Sequence, residues 1–396
     1  MPLPVKHNFK FKYDHESLTN VLIEHLYNLK DSSSVSPFRL FVYPSALCND
    51  SCRYCSDGAR AGSEISDGFL KYDPARDFFE DKKHIDKLVN DIKDLEVRDI
   101  HLFGGGEPFF YKENMFYFLE RLKETDVFIR IITNANNLVA RDVDYIVKNG
   151  LISSLNISFN TDSEEAAGKL YANSARHTHS LEVLETIASC KQRYDTDFPK
   201  INIMCILLNT NYNRIPEILE LVGRHKPEFF SLQPLRCGPV NPKDFVLSCK
   251  QEEVFRRQIP QIEEKLKEFK LNSNLAEFKS ELPADNQDSL RNSSVWVPEL
   301  KNKHGLTLRC YLPLVTLAIS YNGSIPYCFF KNNHRYRYNY FELNSLKEFI
   351  RSREYAGWMD NFTNSNLPEF CADCNFCSFY EFESIKERFE YFKRAG

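Results

Sequence analysis

Three cysteines stand within eight residues of one another: Cys48, Cys52 and Cys55, in the spacing C-x3-C-x2-C. They follow directly after an apolar run that is typical of a β-strand. A structural zinc site takes four protein ligands, whereas three thiolates on a 4Fe-4S cluster leave one iron open to bind another molecule. The trio therefore predicts an iron–sulfur site with an open iron. An incomplete zinc site or unrelated thiols are the alternative.

A second group of five cysteines lies near the end of the chain. Cys310 and Cys328 stand on either side of an Asn-Gly pair, whose tight turn would bring the two thiols together. Cys371, Cys374 and Cys377 follow in C-x2-C-x2-C spacing and can supply two further ligands of a four-cysteine site. Zinc and an iron–sulfur cluster both fit such a ligand set.

Composition limits the class of protein. The 396 residues carry 51 Lys and Arg against 55 Asp and Glu, a net charge of −4, which gives no basic excess for a nucleic-acid backbone or an anionic membrane. The N-terminal residues lack the apolar core of a signal peptide, and we expect no membrane span. We therefore expect a cytoplasmic protein, in which clustered thiols serve metal or catalytic chemistry rather than disulfides.

Alternating apolar and amphipathic segments between residues 38 and 235 are typical of repeated β-α units around a parallel sheet. The predicted strands are 38–44, 97–103, 127–133, 152–160, 201–208 and 229–235. Helical periodicity covers 75–95, 181–194 and 215–225. These units predict an α/β fold, a partial (β/α)6 barrel similar to a TIM barrel, whose carboxyl-terminal strand ends position the first three cysteines.

The rest of the chain is predicted as extensions of this barrel. We divide the sequence into an N-terminal extension (1–36), the partial barrel (37–237), a helical and loop connector (238–305) and a small C-terminal hairpin-plus-helix domain (306–396). The connector begins with a helix over 250–270 that Pro260 should kink or restart. The last domain should contain a hairpin around the Asn-Gly pair, a helix capped by Ser345 and a final helix over 382–393.

The C-x3-C-x2-C spacing after the first strand resembles the radical S-adenosylmethionine (SAM) superfamily. In that family the three cysteines hold a 4Fe-4S cluster whose open iron binds the amino and carboxylate groups of SAM. One electron from the reduced cluster cleaves SAM to a 5′-deoxyadenosyl radical, which abstracts a hydrogen atom from the substrate. Tyr54, directly before Cys55, matches the family pattern, which implies that it lies against the cofactor.

A second motif supports the resemblance. Gly105, Gly106, Glu107 and Pro108 follow the second predicted strand and resemble the GGEP motif of the family. Glycines allow the backbone to approach the methionine part of SAM closely, and the Glu107 carboxylate can accept a hydrogen bond from its ammonium group.

Further matches follow later strands. Thr133-Asn134 resembles the T-N-G of the family, with Ala135 in place of the glycine. Ser158 and Asn160 stand where the family places ribose or methionine contacts. Arg176 stands where many relatives place an arginine facing the methionine carboxylate, a partner that suits a guanidinium group. For these residues the alternative is a polar group satisfied locally.

The second cysteine group is similar to the SPASM and Twitch extensions of this superfamily, which hold auxiliary 4Fe-4S clusters. Full SPASM domains carry two clusters on a longer cysteine tail, and five thiols cannot fully ligate two. The resemblance therefore implies one auxiliary 4Fe-4S cluster, with zinc as the alternative. Its ligands would be Cys310, Cys328 and two of the three cysteines Cys371, Cys374 and Cys377.

The implied activity is radical chemistry on an unactivated C–H bond. Relatives crosslink, oxidise or epimerise ribosomally made peptides, and others oxidise or epimerise carbohydrates or aminocyclitols; we favour a peptide over a small-molecule substrate. The family also implies an electron donor such as flavodoxin or ferredoxin. Cys237, after the sixth strand, could return a hydrogen atom to a substrate radical, and the alternative is an ordinary half-buried cysteine. A non-catalytic zinc protein that binds a partner is the hypothesis from another class.

Overall fold

The computed structural model describes residues 15–31, 33, 35–55, 77–235, 243–281, 300–301, 303–305, 307–308, 310–326, 328, 338–363 and 371. The strands in chain order are β1 (Arg39–Val42), β2 (Asp99–Leu102), β3 (Phe128–Thr133), β4 (Ser154–Ser158), β5 (Lys200–Leu207), β6 (Phe229–Pro234), β7 (Asn272–Ser273), β8 (Leu300–Lys301), β9 (Thr307–Leu308), β10 (Thr316–Ile319), β11 (Ser324–Ile325) and β12 (Tyr338–Asn339). The α-helices are α1 (His15–Asn28), α2 (Lys82–Asp94), α3 (Lys112–Leu122), α4 (Ala140–Asn149), α5 (Glu164–Leu170), α6 (Arg176–Tyr194), α7 (Ile215–Gly223), α8 (Cys249–Glu268), α9 (Leu275–Glu281), α10 (Leu312–Val315), α11 (Leu346–Ile350) and α12 (Arg353–Thr363).

Eight of the strands form one sheet in the order β10-β1-β2-β3-β4-β5-β6-β7. Every pair of neighbours in this sheet is parallel. Strands β1 to β6 confirm the six predicted strands, and α2, α6 and α7 confirm the predicted helices between them. The sheet stays open at its two edges, β10 and β7. The predicted α/β partial barrel is therefore confirmed.

The strands in the middle of this sheet alternate between a buried and a partly exposed face. In β5, Ile201, Ile203 and Cys205 are buried, while Asn202 and Met204 between them are partly exposed. Side chains of a strand point alternately to the two faces of the sheet, so one face packs under the helices and the other stays accessible. We call the accessible face the inner face.

The helical connector contains Pro260 inside a continuous helix. Of the two predicted effects of this proline, a kink or a restart, the restart does not occur, because α8 is unbroken from Cys249 to Glu268. Phe255 and Ile262 are buried on the two sides of the proline. We attribute the unbroken helix to this burial, which offsets a proline penalty of roughly 3 kcal/mol in a helix interior.

The segment predicted as a hairpin makes its turn as expected but pairs differently. Gly323 has a φ of 79°, and its N–H donates to the carbonyl of Ser320 at 2.9 Å. The arm before the turn, β10, pairs in parallel with β1, while the arm after it, β11, pairs with β12. Strand β10 buries Leu317 and Ile319 and covers the edge that β1 would otherwise expose. The C-terminal part of the chain thus contributes a strand to the main sheet.

Helix α11 begins as the sequence predicts. The Ser345 side chain accepts a hydrogen bond from the backbone N–H of Glu348, which satisfies a donor at the helix start. The predicted final helix over 382–393 lies outside the described residues. In the part of the chain that the structure describes, no helix combines the length and the apolar character needed to cross a membrane.

Candidate iron–sulfur and S-adenosylmethionine site

The loop after β1 carries the first three cysteines at the carboxyl end of the sheet. Cys48, Cys52 and Cys55 are all partly buried, and the N–H of Cys55 donates to the carbonyl of Cys52 at 3.1 Å. Burial raises the pKa of Cys48 to about 12 and that of Cys52 to about 11. Thiolate is the form that binds iron, and the positive charge of a bound cluster would favour it at these cysteines. The donor chemistry of this loop therefore fits a cluster with three cysteine ligands.

Arg176, the first residue of α6, contacts this loop directly. Its Nη1 donates to Oδ2 of Asp50 at 2.5 Å and to Sγ of Cys52 at 3.3 Å. Its Nη2 donates to the carbonyl of Ser158 at 3.2 Å, and the guanidinium lies 4.0 Å from the ring centroid of Tyr171. Arg176 is only 3% exposed. The structure thus places this predicted SAM contact against the cysteine loop itself.

Asn134, which follows β3, contacts the loop from another side. Its Nδ2 lies 3.7 Å from Sγ of Cys48 and donates to Oδ1 of Asn49 at 2.8 Å. Two of the three cysteine sulfurs therefore face a nitrogen donor from elsewhere in the fold. The described residues contain no group of three or more His, Cys, Asp and Glu side chains placed to hold one metal ion. Thiols of a cubic cluster bind separate irons, so this loop needs no such convergence.

The glycine-rich loop after β2 packs against the backbone of the cysteine loop. A Cβ on Gly106 would lie 2.0 Å from the carbonyl oxygen of Leu47, so only glycine fits there. The N–H of Glu107 donates to the same carbonyl at 2.8 Å. Gly105 has a φ of 64°, a conformation that glycine adopts readily. In this structure the glycines allow two loops of the protein to meet next to Cys48, one residue after Leu47.

The Glu107 side chain joins the loops after β2 and β3. Its carboxylate accepts hydrogen bonds from the Thr133 hydroxyl, the Asn134 N–H at 2.8 Å and the Phe109 N–H at 3.2 Å. Burial raises the pKa of this carboxyl, and the three donors oppose that rise. Pro108 follows it in a buried turn. Three acceptor positions of the carboxylate are thus taken by the protein, and the bond from the SAM ammonium group to Glu107 stays a prediction.

Ala135 occupies the place of the glycine in the T-N-G sequence and adopts the left-handed backbone conformation that glycine would favour. Its φ is 63°, and its N–H donates to Oγ1 of Thr133 at 2.9 Å. The loop therefore has a left-handed residue at this position at some conformational cost, because alanine carries a Cβ.

Tyr54, which belongs to the cysteine loop, forms a buried polar cluster with Asn160 and Tyr171. Nδ2 of Asn160 donates to the hydroxyl oxygens of Tyr54 at 2.6 Å and Tyr171 at 3.1 Å. Its Oδ1 accepts from the N–H of Ile206 at 2.7 Å. Asn160 is 1% exposed, so its amide supports the site from inside. Ser158, at the end of β4, is partly exposed on the inner face.

The start of the cysteine loop depends on a residue that the sequence did not single out. Ser45 donates from its hydroxyl to Oδ2 of Asp77 at 2.7 Å and accepts from the N–H of Leu47 at 2.9 Å. Oδ1 of Asp77 accepts from the N–H of Ala46 at 3.3 Å. Both side chains are 1% exposed, and burial raises the pKa of Asp77 to about 6. A separation of 32 positions leaves no sequence signal for this contact.

The second cysteine group is only partly described. Cys310, Cys328 and Cys371 are partly buried, and Cys310 and Cys371 pack against the main hydrophobic core. Cys374, Cys377 and Cys237 lie outside the described residues, so the predicted auxiliary ligands and the predicted hydrogen-atom donor stay predictions.

A comparison with family models and solved structures agrees with this fold. The Radical SAM superfamily model matches residues 42–222. Streptococcus suis SuiB bound to S-adenosylmethionine is 18% identical, with a TM-score of 0.58 over 91% of this chain and 78% of that chain. SuiB bound to precursor peptide SuiA is 17% identical, with a TM-score of 0.55 over 88% of this chain and 72% of that chain. Native anSMEcpe with bound AdoMet is 14% identical, with a TM-score of 0.52 over 89% of this chain and 99% of that chain. Among curated proteins, none matches the sequence.

The fold and the site together define an enzyme with an open α/β barrel and a three-cysteine cofactor loop. Residues 42–222 match the Radical SAM superfamily model, so this part of the chain is a radical SAM domain. The match confirms the predicted enzyme class and implies SAM and a 4Fe-4S cluster as its cofactors.

Proposed function

We propose that this enzyme cleaves SAM reductively and abstracts a hydrogen atom from a peptide, whose modification ends in a crosslink, an oxidation or an epimerised centre. The loop of Cys48, Cys52 and Cys55 carries the proposal, because two of its sulfurs face nitrogen donors of Arg176 and Asn134. When bound there, a 4Fe-4S cluster supplies the electron that converts SAM into methionine and a 5′-deoxyadenosyl radical.

The residues of this loop and around it would each have a different role in holding the cofactors. Cys48, Cys52 and Cys55 would ligate the cluster. Arg176 would keep the second cysteine in place and compensate part of the negative charge of the thiolates. SAM would lie against the glycine-rich loop after β2, beside the partly exposed Ser158. This loop consists of Gly105, Gly106 and the buried Glu107 and Pro108. Asn160 would hold the loop in place through its hydrogen bond to the Tyr54 hydroxyl.

We also infer one auxiliary 4Fe-4S cluster, held by Cys310, Cys328 and two of the last three cysteines. In the sequence, Cys310 precedes β10 and Cys328 follows it; β10 pairs with β1, and β1 leads directly to Cys48. This neighbourhood supports a second cluster placed to exchange electrons near the first site. Cys237 stays a proposed hydrogen-atom donor, since its sequence position follows β6.

The substrate class is argued from the peptides bound by two similar enzymes. Streptococcus suis SuiB was solved with precursor peptide SuiA, and anSMEcpe was solved with a Cp18Cys peptide. These partners favour a peptide for the present enzyme. We further propose that it works in the cytoplasm with an electron donor such as flavodoxin or ferredoxin.

The test is anaerobic reconstitution followed by reduction with dithionite in the presence of SAM. We expect about eight irons per chain, four for each of two clusters, and formation of 5′-deoxyadenosine. Replacement of Cys48, Cys52 and Cys55 by Ala should abolish 5′-deoxyadenosine and remove about four irons. Cys310→Ala with Cys328→Ala should remove about four irons from the other site.

Cys249→Ala is the matched control, because Cys249 is an exposed thiol at the start of α8. It should keep the iron content and the 5′-deoxyadenosine yield of the wild type. A colourless wild-type protein with zinc, without sulfide and without 5′-deoxyadenosine would contradict the proposal.

A further inference from the structure

The inner face of the sheet carries several carboxamide and hydroxyl groups on β4, β5 and β6. Asn156, Asn202 and Gln233 all belong to the partly exposed positions of β4, β5 and β6. Ser158 and Ser231 lie on the same face of β4 and β6. Strands that were only scaffold would bury apolar side chains on both faces, as is usual for parallel sheets. These side chains therefore line a polar surface that can bind a ligand.

Asn156 and Asn202 form the centre of this surface. The two residues are directly opposite each other in the register of β4 and β5. Nδ2 of Asn202 donates to Oδ1 of Asn156 at 2.7 Å and to Oγ of Ser154 at 3.2 Å. This network fixes which amide atoms remain available. Among the described residues, Nδ2 of Asn156 and Oδ1 of Asn202 have no hydrogen-bond partner, so this partly exposed pair keeps one donor group and one acceptor for a ligand.

A donor and an acceptor side by side match the two polar atoms of an amide group. The N–H of a peptide bond or carboxamide can donate to Oδ1 of Asn202 while a C=O accepts from Nδ2 of Asn156. Gln233 has a similar arrangement, because its Nε2 donates to Oγ of Ser231 at 2.5 Å and its Oε1 is left as an acceptor within the described chain. The surface thus repeats neutral hydrogen-bonding groups of the kind a peptide backbone offers.

The charges of the inner face oppose a cationic ligand. In the described strands, the acidic side chain on this face is Asp99, which is fully buried. Its carboxylate is already bound by Nε of Arg39 at 2.7 Å, Nε of Arg130 at 3.1 Å and Nε2 of His101 at 3.1 Å. No carboxylate of these strands is left for an ammonium group. A substrate with several ammonium groups, such as an aminocyclitol, would lose its solvation here without a counter-charge.

The amide pair lies at a distance from the cysteine loop that suits a substrate. Ser158 stands two residues beyond Asn156 on β4, about 7 Å further toward the carboxyl end of the strand. The carbonyl of Ser158 accepts from Arg176, which in turn contacts Sγ of Cys52. A group held by Asn156 and Asn202 would therefore sit directly below the site where the cofactors are proposed to bind.

We propose that Asn156 and Asn202 bind an uncharged amide group of the substrate and so select a peptide over a polyamino sugar or cyclitol. The proposal rests on the proposed function, in which this enzyme acts on a peptide. It adds the two residues that recognise the peptide and names the uncharged amide group as the feature they bind.

Binding of a blocked peptide tests the proposal. The probe is N-acetyl-alanyl-alanine amide at millimolar concentration, added to the reconstituted wild-type enzyme with SAM and observed by saturation-transfer NMR. We expect the blocked dipeptide to give signals and the dication of cis-1,3-diaminocyclohexane to give none. Asn202→Ala should reduce the dipeptide signal at least fivefold, whereas the exposed, remote Asn344→Ala should leave it unchanged. An equal dipeptide signal in Asn202→Ala and the wild type would overturn the proposal.

A charge substitution separates recognition from misfolding. Asn202→Asp places a carboxylate on the inner face, so the dication should now bind and the dipeptide signal should fall. Urea unfolding and iron content identify any variant that fails to fold, and a folded Asn202→Asp variant that still rejects the dication would also contradict the proposal. Failure of the wild type to form 5′-deoxyadenosine would instead refute the proposed function, because dipeptide binding does not depend on SAM cleavage.

Discussion

Arg176 and Asp50 are 126 positions apart in the chain, yet Nη1 of the arginine lies 2.5 Å from Oδ2 of the aspartate. The side chains of both residues are almost completely buried. The same Nη1 also donates to Sγ of Cys52. The segment between Cys48 and Cys52 is therefore held by a charge pair of the protein, and the guanidinium lies close enough to a ligand sulfur to influence a cluster bound there.

Neutralising Arg176 and neutralising Asp50 should shift the reduction potential of the cluster in opposite directions. Arg176→Gln removes a cation and a donor beside Cys52, so the potential should fall. Asp50→Asn removes an anion from the loop, so the potential should rise, because the potentials of iron–sulfur clusters depend on local charge and on hydrogen bonds to sulfur. Redox titration followed by electron paramagnetic resonance measures both shifts. Shifts of the same sign would contradict this assignment.

The stability of the same variants gives an independent check. Arg176→Gln leaves the buried Asp50 carboxylate without its partner and should cost about 3–5 kcal/mol in free energy of unfolding. The double variant Arg176→Gln with Asp50→Asn removes both charges and should recover much of this loss. Urea unfolding of the two proteins measures the difference, and equal stabilities would show that the pair is not coupled.

Ser45→Ala should loosen the cysteine loop more than it loosens the protein as a whole. The substitution removes the hydroxyl that joins Asp77 to the N–H of Leu47, one residue before Cys48. Loss of such a buried hydrogen bond costs about 1–2 kcal/mol, so the loop should open roughly 5–30 times more often. Iron transfer to a chelator from the reconstituted enzyme should accelerate by a similar factor.

Ser153→Ala is the control for this experiment. Ser153 is also buried, and its Oγ accepts from the N–H of Ile129 at 3.0 Å, at a position before β4 and away from the cysteine loop. The variant should lose a similar free energy of unfolding without faster iron release. Equal acceleration in both variants would mean that iron release reports only global stability.

The sequence predicts the strands and the three cysteines of this enzyme better than the contacts within its site. Strands β1 to β6 follow from apolar runs, and the three cysteines follow from their spacing, because both signals are local. The roles of Glu107 and Arg176 could not be predicted in the same way. Their partners, Thr133 and Asp50, are distant in sequence and meet only because parallel strands bring their following loops to one edge of the sheet.

The pairing of β10 with β1 is a second contact between distant residues that the sequence does not predict. The Asn-Gly turn predicts a reversal of the chain, and Gly323 makes it. The turn does not determine which strand β10 pairs with, because that choice depends on the free edge of β1, more than two hundred residues earlier in the sequence. Local turn chemistry is therefore visible in the sequence, while the competition between possible partners is not.

Ala135→Gly should not destabilise the enzyme, unlike most replacements of alanine by glycine. The φ of 63° at Ala135 costs an ordinary residue about 1–2 kcal/mol, and glycine avoids this cost. Removal of this backbone strain should offset the greater flexibility of glycine and the lost burial of one methyl group. Ala188→Gly, inside α6, has no such relief and should cost about 1 kcal/mol. Comparison of urea midpoints checks the prediction, which fails if Ala135→Gly is the more damaging of the two.

Tyr340→Phe should weaken the attachment of the C-terminal segment to the barrel. The Tyr340 hydroxyl donates to Oδ2 of Asp91 on α2 at 2.7 Å, and Oδ1 of Asp91 accepts from the N–H of Leu346 at 2.9 Å. Because Tyr340 and Asp91 are buried, removal of the hydroxyl should lower the free energy of unfolding by about 1–3 kcal/mol. Tyr338→Phe is the control, since its hydroxyl donates to an exposed Glu354 at 2.9 Å and should contribute less than about 0.5 kcal/mol. Thermal unfolding of both variants measures the contrast, and a loss in Tyr338→Phe as large as in Tyr340→Phe would contradict it.

His101 should make the enzyme less stable as the pH falls from about 6.5 to about 4. Burial lowers the pKa of His101 to about 4, against the opposing effect of Asp99, while an unfolded chain has a histidine pKa of about 6.5. Between these values the unfolded state binds the additional proton, so the free energy of unfolding decreases as the pH falls and changes no further on this account below about 4. His101→Gln keeps a donor for Asp99 but does not titrate. Urea unfolding at pH 7 and pH 4.5 should therefore show an acid-induced loss that is smaller in His101→Gln by about 1–3 kcal/mol. An identical loss in both proteins would show that His101 already shares the ordinary histidine pKa in the folded enzyme.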